Sequence, residues 1–255
     1  KTALASYLYD AAGFPVFYSE PVFVTVNNKN YGIYNFIERI NEEFFRKRDM
    51  ALGELYKVQF DSRFTFFKEN RLEATFDKEY PDDDNYSSLA ELIAASDNTS
   101  PPDIPETMEK HMDIENYLWY HAISTIRSDP DSYTNNFYIY KSIVTVPFSF
   151  IPWDFDKTFT GNIGIYGYNE LIESLLRNDE VFDSYINKLQ FITDNIFTEG
   201  NLCPIIDNMY NRLDEYYKYD PYLVNKNVEA EINSIKNFIT HRRNEIKEMI
   251  KDAEN

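Results

Sequence analysis

Residues 128–156 read SDPDSYTNNFYIYKSIVTVPFSFIPWDFD, and they restrict the fold more than any other stretch of the chain. A dense cluster of turn residues, SDPDSYTNN, runs into two aromatic β segments, NFYIYK and PFSFIPWDF. Asp, Asn, Ser and Pro favour turns because they bond their own backbone or preset φ. Aromatic and β-branched residues suit a pleated, half-buried surface. The link between the two segments is short, so they read as an antiparallel hairpin. A hairpin sets the start of its first strand beside the end of its second. Asn136 and Asp154 are therefore expected to be neighbours despite 18 residues of separation. Asp131, five residues before Asn136, enters at the same end, and Asp156 follows Asp154 closely.

Three carboxylates and an amide would then share one mouth. Two carboxylates ~4 Å apart repel by about 4 kcal/mol at an effective dielectric of 20. A divalent cation relieves that repulsion, and an all-oxygen donor set suits Mg²⁺ or Mn²⁺ better than zinc. An Asp, an Asn five residues on and a later Asp-Phe closing a hairpin are parts of a phosphoryl-transfer site. The first Asp aligns the attacking hydroxyl and accepts its proton, while the Asn and the later Asp hold metal. Two other readings stand beside this one. Asp129, Asp131 and Asn135 also suit simple turn capping. A pair of carboxylates also suits glycoside hydrolysis. Trp153 reads as a packing residue.

Charge narrows the partners. The 255 residues hold 25 Lys plus Arg and 43 Asp plus Glu, a net charge of −18. That sign argues against a nucleic-acid binder, whose phosphates need a basic footprint, and against docking on anionic lipid. No apolar run approaches the ~20 residues of a membrane span, so no membrane insertion is expected. The single Cys203 rules out an internal disulfide framework. Neither GxGxxG nor GxxxxGK[ST] occurs, and HExxH and GxSxG are absent too. His111, His121 and His241 are scattered, and His121 reads as a packed or exposed helix residue. The chain opens at Lys1 inside a helical pattern, which reads as a fragment or a processed chain.

The remaining elements follow from periodicity. Residues 2–12 carry Leu4, Leu8 and Ala11 at helical spacing, with Gly13 as a stop. PVFVTVN and YGIYNFIE flank the turn cluster 27–30 and read as a second hairpin. A charged helix is expected over 41–49 and a short strand pair over 54–68. Residues 77–116 hold twelve acids against two bases. They read as a loop, a helix over 86–95 and a second loop, with a solvated face or a docking face for a basic protein. Residues 113–127 form an amphipathic helix with Asp113 as N-cap. Helices over 168–177, 179–197, 201–217 and 226–251 complete the chain. Glu38, at the end of its strand beside Arg39, reads as a surface ion pair. Lys57, in GELYK, alternates with apolar neighbours and faces either a phosphate or solvent.

Taken in order, these segments resemble the spore-coat protein H (CotH) kinase family. The matching stretches are YLYDAAGFP, VNNKNYGIYNFIERINEEFF, GELYK, DIENYLWYHAIS, DPDSYTNNFYIYK, FIPWDFDKTF, LIESLLRNDEVFDSYINKL and FITHRRNEIKEMI. They cover nearly the whole chain, and residues 70–110 are the least diagnostic part. The resemblance implies an α+β, atypical protein-kinase-like fold. A partial, β-rich N-lobe and hinge would span residues 1–70, an acidic connecting segment 71–112, and a largely helical C-lobe 113–255. The C-lobe would carry the metal site on its β-hairpin. The implied activity is transfer of the γ-phosphate of ATP to Ser or Thr of a basic or Ser-rich protein, with Mg or Mn.

By the same resemblance Asp131 is the catalytic Asp, Asn136 the amide metal ligand and Asp154 the metal-binding Asp. Asp156 is an acidic neighbour in the W-D-x-D motif. Glu38 falls in the strand leading to the hinge, and Lys57 is a candidate for the nucleotide. The helix over 2–12 holds no Glu to pair with a lysine, and the family's early strands would lie upstream of Lys1. Placement at a spore coat or cell surface is also implied. The same domain occurs in fungal surface adhesins, so a non-catalytic binding module is the alternative.

Overall fold

A computed structural model describes residues 1–59, 72–100, 103–145, 147–166 and 169–254. The expected strand pair over 54–68 lies partly outside them. The chain opens with α1 (Thr2–Ala11), then the hairpin β1 (Ser19–Val26) and β2 (Lys29–Ile37), then α2 (Glu42–Arg46) and β3 (Leu52–Val58). Next come α3 (Leu72–Thr75), β4 (Phe76–Tyr80), α4 (Ser87–Asn98), α5 (Ile104–Met108) and α6 (Ile114–Ile126). A 3₁₀ turn (Pro130–Tyr133) leads into β5 (Phe137–Ser142) and β6 (Phe148–Pro152). Helices α7 (Glu170–Leu175), α8 (Asp179–Asn195), α9 (Glu199–Leu213) and α10 (Val228–Ala253) follow. The fold is thus mixed α+β with small sheets.

Both sheets are antiparallel. β1 and β2 form one, and the other has the order β4-β3-β5-β6. The β1–β2 turn places Asn27 and Asn28 at φ 51° and 61°. Positive φ at both central residues matches the right-handed twist of a two-residue hairpin, and Asn tolerates it. Gly32 sits at φ +102°, where a Cβ would lie 2.6 Å from Asp220 Oδ2. Only glycine allows that approach, and it lets the Ile33 N–H donate to the same oxygen at 2.6 Å. Asp220 thereby ties the hairpin to the C-terminal part of the chain.

Two expectations need correction. Residues 77–80, expected to open a loop, belong instead to β4, which pairs with β3 from Leu55↔Tyr80 to Val58↔Phe76. FDKEY does alternate, with Phe76 buried and Asp77 and Glu79 exposed. On an edge strand the outward acids discourage further pairing, and they also hide the β signal. The helix expected to be amphipathic, α6, is buried on nearly every side. Ser124, Thr125 and His121 bond internally instead of facing water. Tyr9 Oη and Ser124 Oγ lie 2.7 Å apart, and Thr125 Oγ1 lies 2.9 Å from Tyr133 Oη. His121 is wholly buried with Nδ1 3.2 Å from Tyr185 Oη, and burial pushes its pKa down to about 3.

The caps follow the sequence. Asp113 accepts the Asn116 N–H at 2.9 Å, Asn41 caps α2, and Asn169, Asn178, Thr198 and Asn227 cap the helices after α6. One contiguous apolar cluster runs from Leu4 to Ile250 with α6 inside it. Arg242 of α10, fully buried, donates to the carbonyls of Thr125 (2.7 Å), Ile126 (3.4 Å) and Ile163 (2.6 Å). The last carbonyls of a helix lack intrahelical partners and carry partial negative charge. Arg242 satisfies two of them, which fixes the point where the chain leaves α6. No described helix is long and apolar enough to cross a membrane.

Candidate active site

The chain leaves α6 through Arg127, Ser128 and Asp129, all fully buried. Ser128 adopts φ 54°, a left-handed conformation that is costly for a serine. Asp129 then caps the 3₁₀ turn, its Oδ1 accepting the Asp131 N–H at 3.1 Å. The turn-capping reading is therefore right for Asp129. Its other oxygen, Oδ2, accepts from Arg127 Nη1 at 2.5 Å. The Asp131 carbonyl accepts the N–H groups of Asn135 (2.9 Å) and Asn136 (3.1 Å). That tight turn delivers Asn136 to the entry of β5.

The hairpin closes as expected. Phe137 pairs with Pro152, and the Trp153 N–H donates to the Asn136 carbonyl at 3.1 Å. Asn136 Nδ2 donates to the Asp154 carbonyl at 3.2 Å. Asp154 sits at φ 49°, which turns the chain sharply at the strand end. Phe155 is then driven into the core, with its ring 5.5 Å from Tyr9, 4.8 Å from Phe17 and 4.4 Å from the Arg127 guanidinium. Trp153 is half-buried and packs edge-on against Phe17 and Tyr138, in keeping with a packing residue.

The carboxylates sense one another. Asp131 has a raised pKa, first from burial and then from the charges of Asp129 and Asp156, with Lys157 opposing. Asp154 has a raised pKa from burial, then from Asp156, with smaller contributions from Asp129 and Asp131. Raised carboxylate pKa values of this origin mark a place where added positive charge is favourable. Among the described residues, however, no three His, Cys, Asp or Glu side chains form a ready metal cage. That pattern fits Mg²⁺ or Mn²⁺ in one respect. Mg²⁺ usually takes one or two protein carboxylates and fills its other positions with water and substrate phosphates. Asn136 and Asp154 offer hard oxygens of that kind, and Asp156 is exposed beside them.

Lys57 and Glu38 are placed differently. Lys57 on β3 lies opposite Tyr138 in register, with Nζ 6.0 Å from the Tyr138 ring and 5.8 Å from the Trp153 ring. It therefore stands at the sheet end that leads into Asp154. Glu38 is committed to Arg48, through contacts of 2.7 and 3.3 Å, with Lys47 at 3.6 Å and the Tyr18 N–H at 3.1 Å. Burial opposes its charge, but these donors outweigh it and hold the Glu38 carboxyl below its usual range. The expected ion pair thus exists, but part-buried, with Arg48 as partner and Arg39 not part of it. Glu38 borders a cleft of about 420 Å³ with Tyr18, Phe36 and Arg39. A separate cavity of about 560 Å³ lies between α1, β1 and α9, and Asp131, Asn136 and Asp154 do not line it.

Sequence reasoning missed Arg127 and Arg242 as builders of this site, whereas Phe155 stood in the Asp-Phe pair that closes the hairpin. The buried arginines leave no periodic trace.

An α+β chain with an acidic, amide-bearing hairpin mouth is the class of protein these observations define. A family model described as CotH kinase protein matches residues 1–246. The chain belongs to that family. It is also 27% identical over 249 residues to the inner spore coat protein H of Bacillus subtilis (strain 168), an alignment covering 90% of this chain and 69% of that protein.

Proposed function

We propose that this chain is the catalytic part of an atypical protein kinase that transfers the γ-phosphate of ATP to a Ser or Thr hydroxyl of a protein. The observation that carries this reading is the meeting of Asp131, Asn136 and Asp154 at one end of the β5–β6 hairpin, with both carboxyls raised in pKa. Family membership supports it. In this reading residues 1–70 are N-lobe and hinge, 71–112 an acidic connector and 113–255 the C-lobe.

Asp131 orients the attacking hydroxyl and accepts its proton. Its raised pKa brings it nearer the range where a carboxylate serves as a base at neutral pH. Asn136 and Asp154 would hold Mg²⁺ or Mn²⁺, with Asp156 adding charge beside them. The metal, when bound, neutralises the ATP phosphates. Lys57 adds a positive charge toward the phosphates, and Glu38 holds the hinge strand against Arg48. The net charge of −18 favours encounter with basic, Ser-rich protein. The spore-coat relative makes a coat protein the first substrate to try.

The test is transfer of labelled phosphate from ATP to a basic Ser-containing protein with Mg²⁺ or Mn²⁺. Asp131→Asn is expected to fold as the parent and lose transfer by orders of magnitude. Transfer at the parental rate by Asp131→Asn would overturn the assignment.

A protein-binding module is the second reading. It is favoured by the exposed aromatic rings on and beside β2, with Tyr18 53%, Tyr34 47% and Phe36 53% accessible. Such a module would hold its partner equally well after Asp154→Asn.

A further inference from the structure

We infer that the buried Arg127–Asp129 pair is a positioning device that fixes Asp131 and Asp154 relative to each other. This inference rests on the kinase reading for its kinetic consequence and on geometry alone for its structural one.

The pair is fully buried, at 0% exposure for both side chains. Removing two charges from water costs several kcal/mol per ion, which a buried pair seldom recovers in net stability. A hydrophobic pair of similar volume would serve stability as well. The contacts show what the charges do instead. Asp129 spends one oxygen on Arg127 and the other on the Asp131 N–H. Arg127 spends Nη1 on Asp129 and Nη2 on Ser132 Oγ, inside the same 3₁₀ turn. Its guanidinium carbon lies 4.4 Å from the centre of the Phe155 ring, and Phe155 follows Asp154 directly. A planar cation can bond in its plane and stack on its face at once, which a lysine cannot do.

Backbone contacts close the same loop. The Arg127 carbonyl accepts the Phe159 N–H at 2.8 Å and the Thr158 Oγ1–H at 3.3 Å. Arg127 thus touches the Asp131 turn with its side-chain nitrogens. It touches the 155–159 segment with its guanidinium carbon and its carbonyl. Three of the six non-glycine residues at φ > 0 among the described residues lie along this path, Ser128 at 54°, Asp154 at 49° and Phe159 at 57°. Strained backbone persists only where the surroundings over-determine it. The Arg127–Asp129 pair is the common partner of the two segments that carry that strain.

The full chain is compared with Asp129→Asn, Arg127→Met and the double variant. Each single variant leaves one buried charge unpaired and is expected to melt lower. The double leaves none and is expected to recover most of the loss. Its kcat for phosphate transfer is nonetheless expected to fall about 10²-fold, with KM for ATP changed less than about threefold, because misplacing a reacting group by ~1 Å costs that much. Amide hydrogen exchange is expected to rise together in 128–136 and 154–159 in the double. Parental kcat in a recovered double variant would overturn the inference, as would faster exchange confined to 128–136. Absence of transfer by the parent chain would instead defeat the kinase reading, and the exchange result alone would then decide the positioning role.

Discussion

Asn136 donates its side-chain amide to the Asp154 carbonyl at 3.2 Å, joining two residues 18 positions apart across the open end of the β5–β6 hairpin. The bond holds the left-handed turn at Asp154 and leaves both side-chain oxygen donors at one mouth. Asn136→Ala removes the tie and one donor together. It is expected to lower phosphate transfer by about 10²–10³-fold, the cost of losing one preorganised electrostatic partner, and to leave the melting temperature within a few degrees. Measuring kcat/KM and melting on the same preparation checks both halves.

The raised pKa values of Asp131 and Asp154 carry a sign. A carboxyl whose folded pKa lies above its unfolded value costs no stability while both states are protonated. The cost appears as pH rises through the unfolded and then the folded pKa. Asp154→Asn, without metal, is therefore expected to raise the melting temperature at pH 7. The gain should fade as pH falls through the carboxylate range near 4. A calorimetric scan of both proteins between pH 3.5 and pH 7, with roughly these limits, reads the crossover directly.

Asp220 is buried and accepts the N–H groups of Ile33, Tyr222 and Leu223 at 2.6, 2.7 and 3.0 Å. Charge-assisted bonds to backbone donors are among the stronger ones. Asp220→Ala is expected to cost about 2–4 kcal/mol and to free the β1–β2 hairpin. Chemical denaturation gives the energy, and exchange at 19–37 shows whether the loss is local.

Arg242→Met is expected to cost about 3–5 kcal/mol, because it removes the side-chain donor of the Ile126 and Ile163 carbonyls and leaves the Thr125 carbonyl with the Ser128 N–H alone. The exposed face of α10 offers a control. Glu248→Gln should change stability by less than about 0.5 kcal/mol in the same denaturation experiment.

Much of this architecture was legible in the sequence. The two hairpins, the capping residue Asp113 and the long C-terminal helices each leave a local signal of periodicity or turn chemistry. The meeting of Asn136 and Asp154 was legible too, because a hairpin converts sequence distance into contact. What was hidden is long-range or polar. β4 was obscured by the acids that suit an edge strand. The burial of α6 was obscured by Ser124, Thr125 and His121, whose partners lie on other elements. Glu38 finds Arg48 ten residues on, around a helix that no pairing rule crosses. Arg127 and Asp129 lie only two residues apart, but their pairing depends on a strained Ser128 between them.

The central claim is that Asn136 and Asp154 hold a metal–nucleotide pair. Its most direct test is the melting temperature of the chain with ATP, with and without Mg²⁺ or Mn²⁺. At about 100-fold over the dissociation constant, binding stabilises by about 2.7 kcal/mol, or roughly 5–10 °C for a chain of this size. The expected result is a shift that requires the metal and vanishes in Asp154→Asn. No shift, or a shift that survives EDTA or Asp154→Asn, would contradict it.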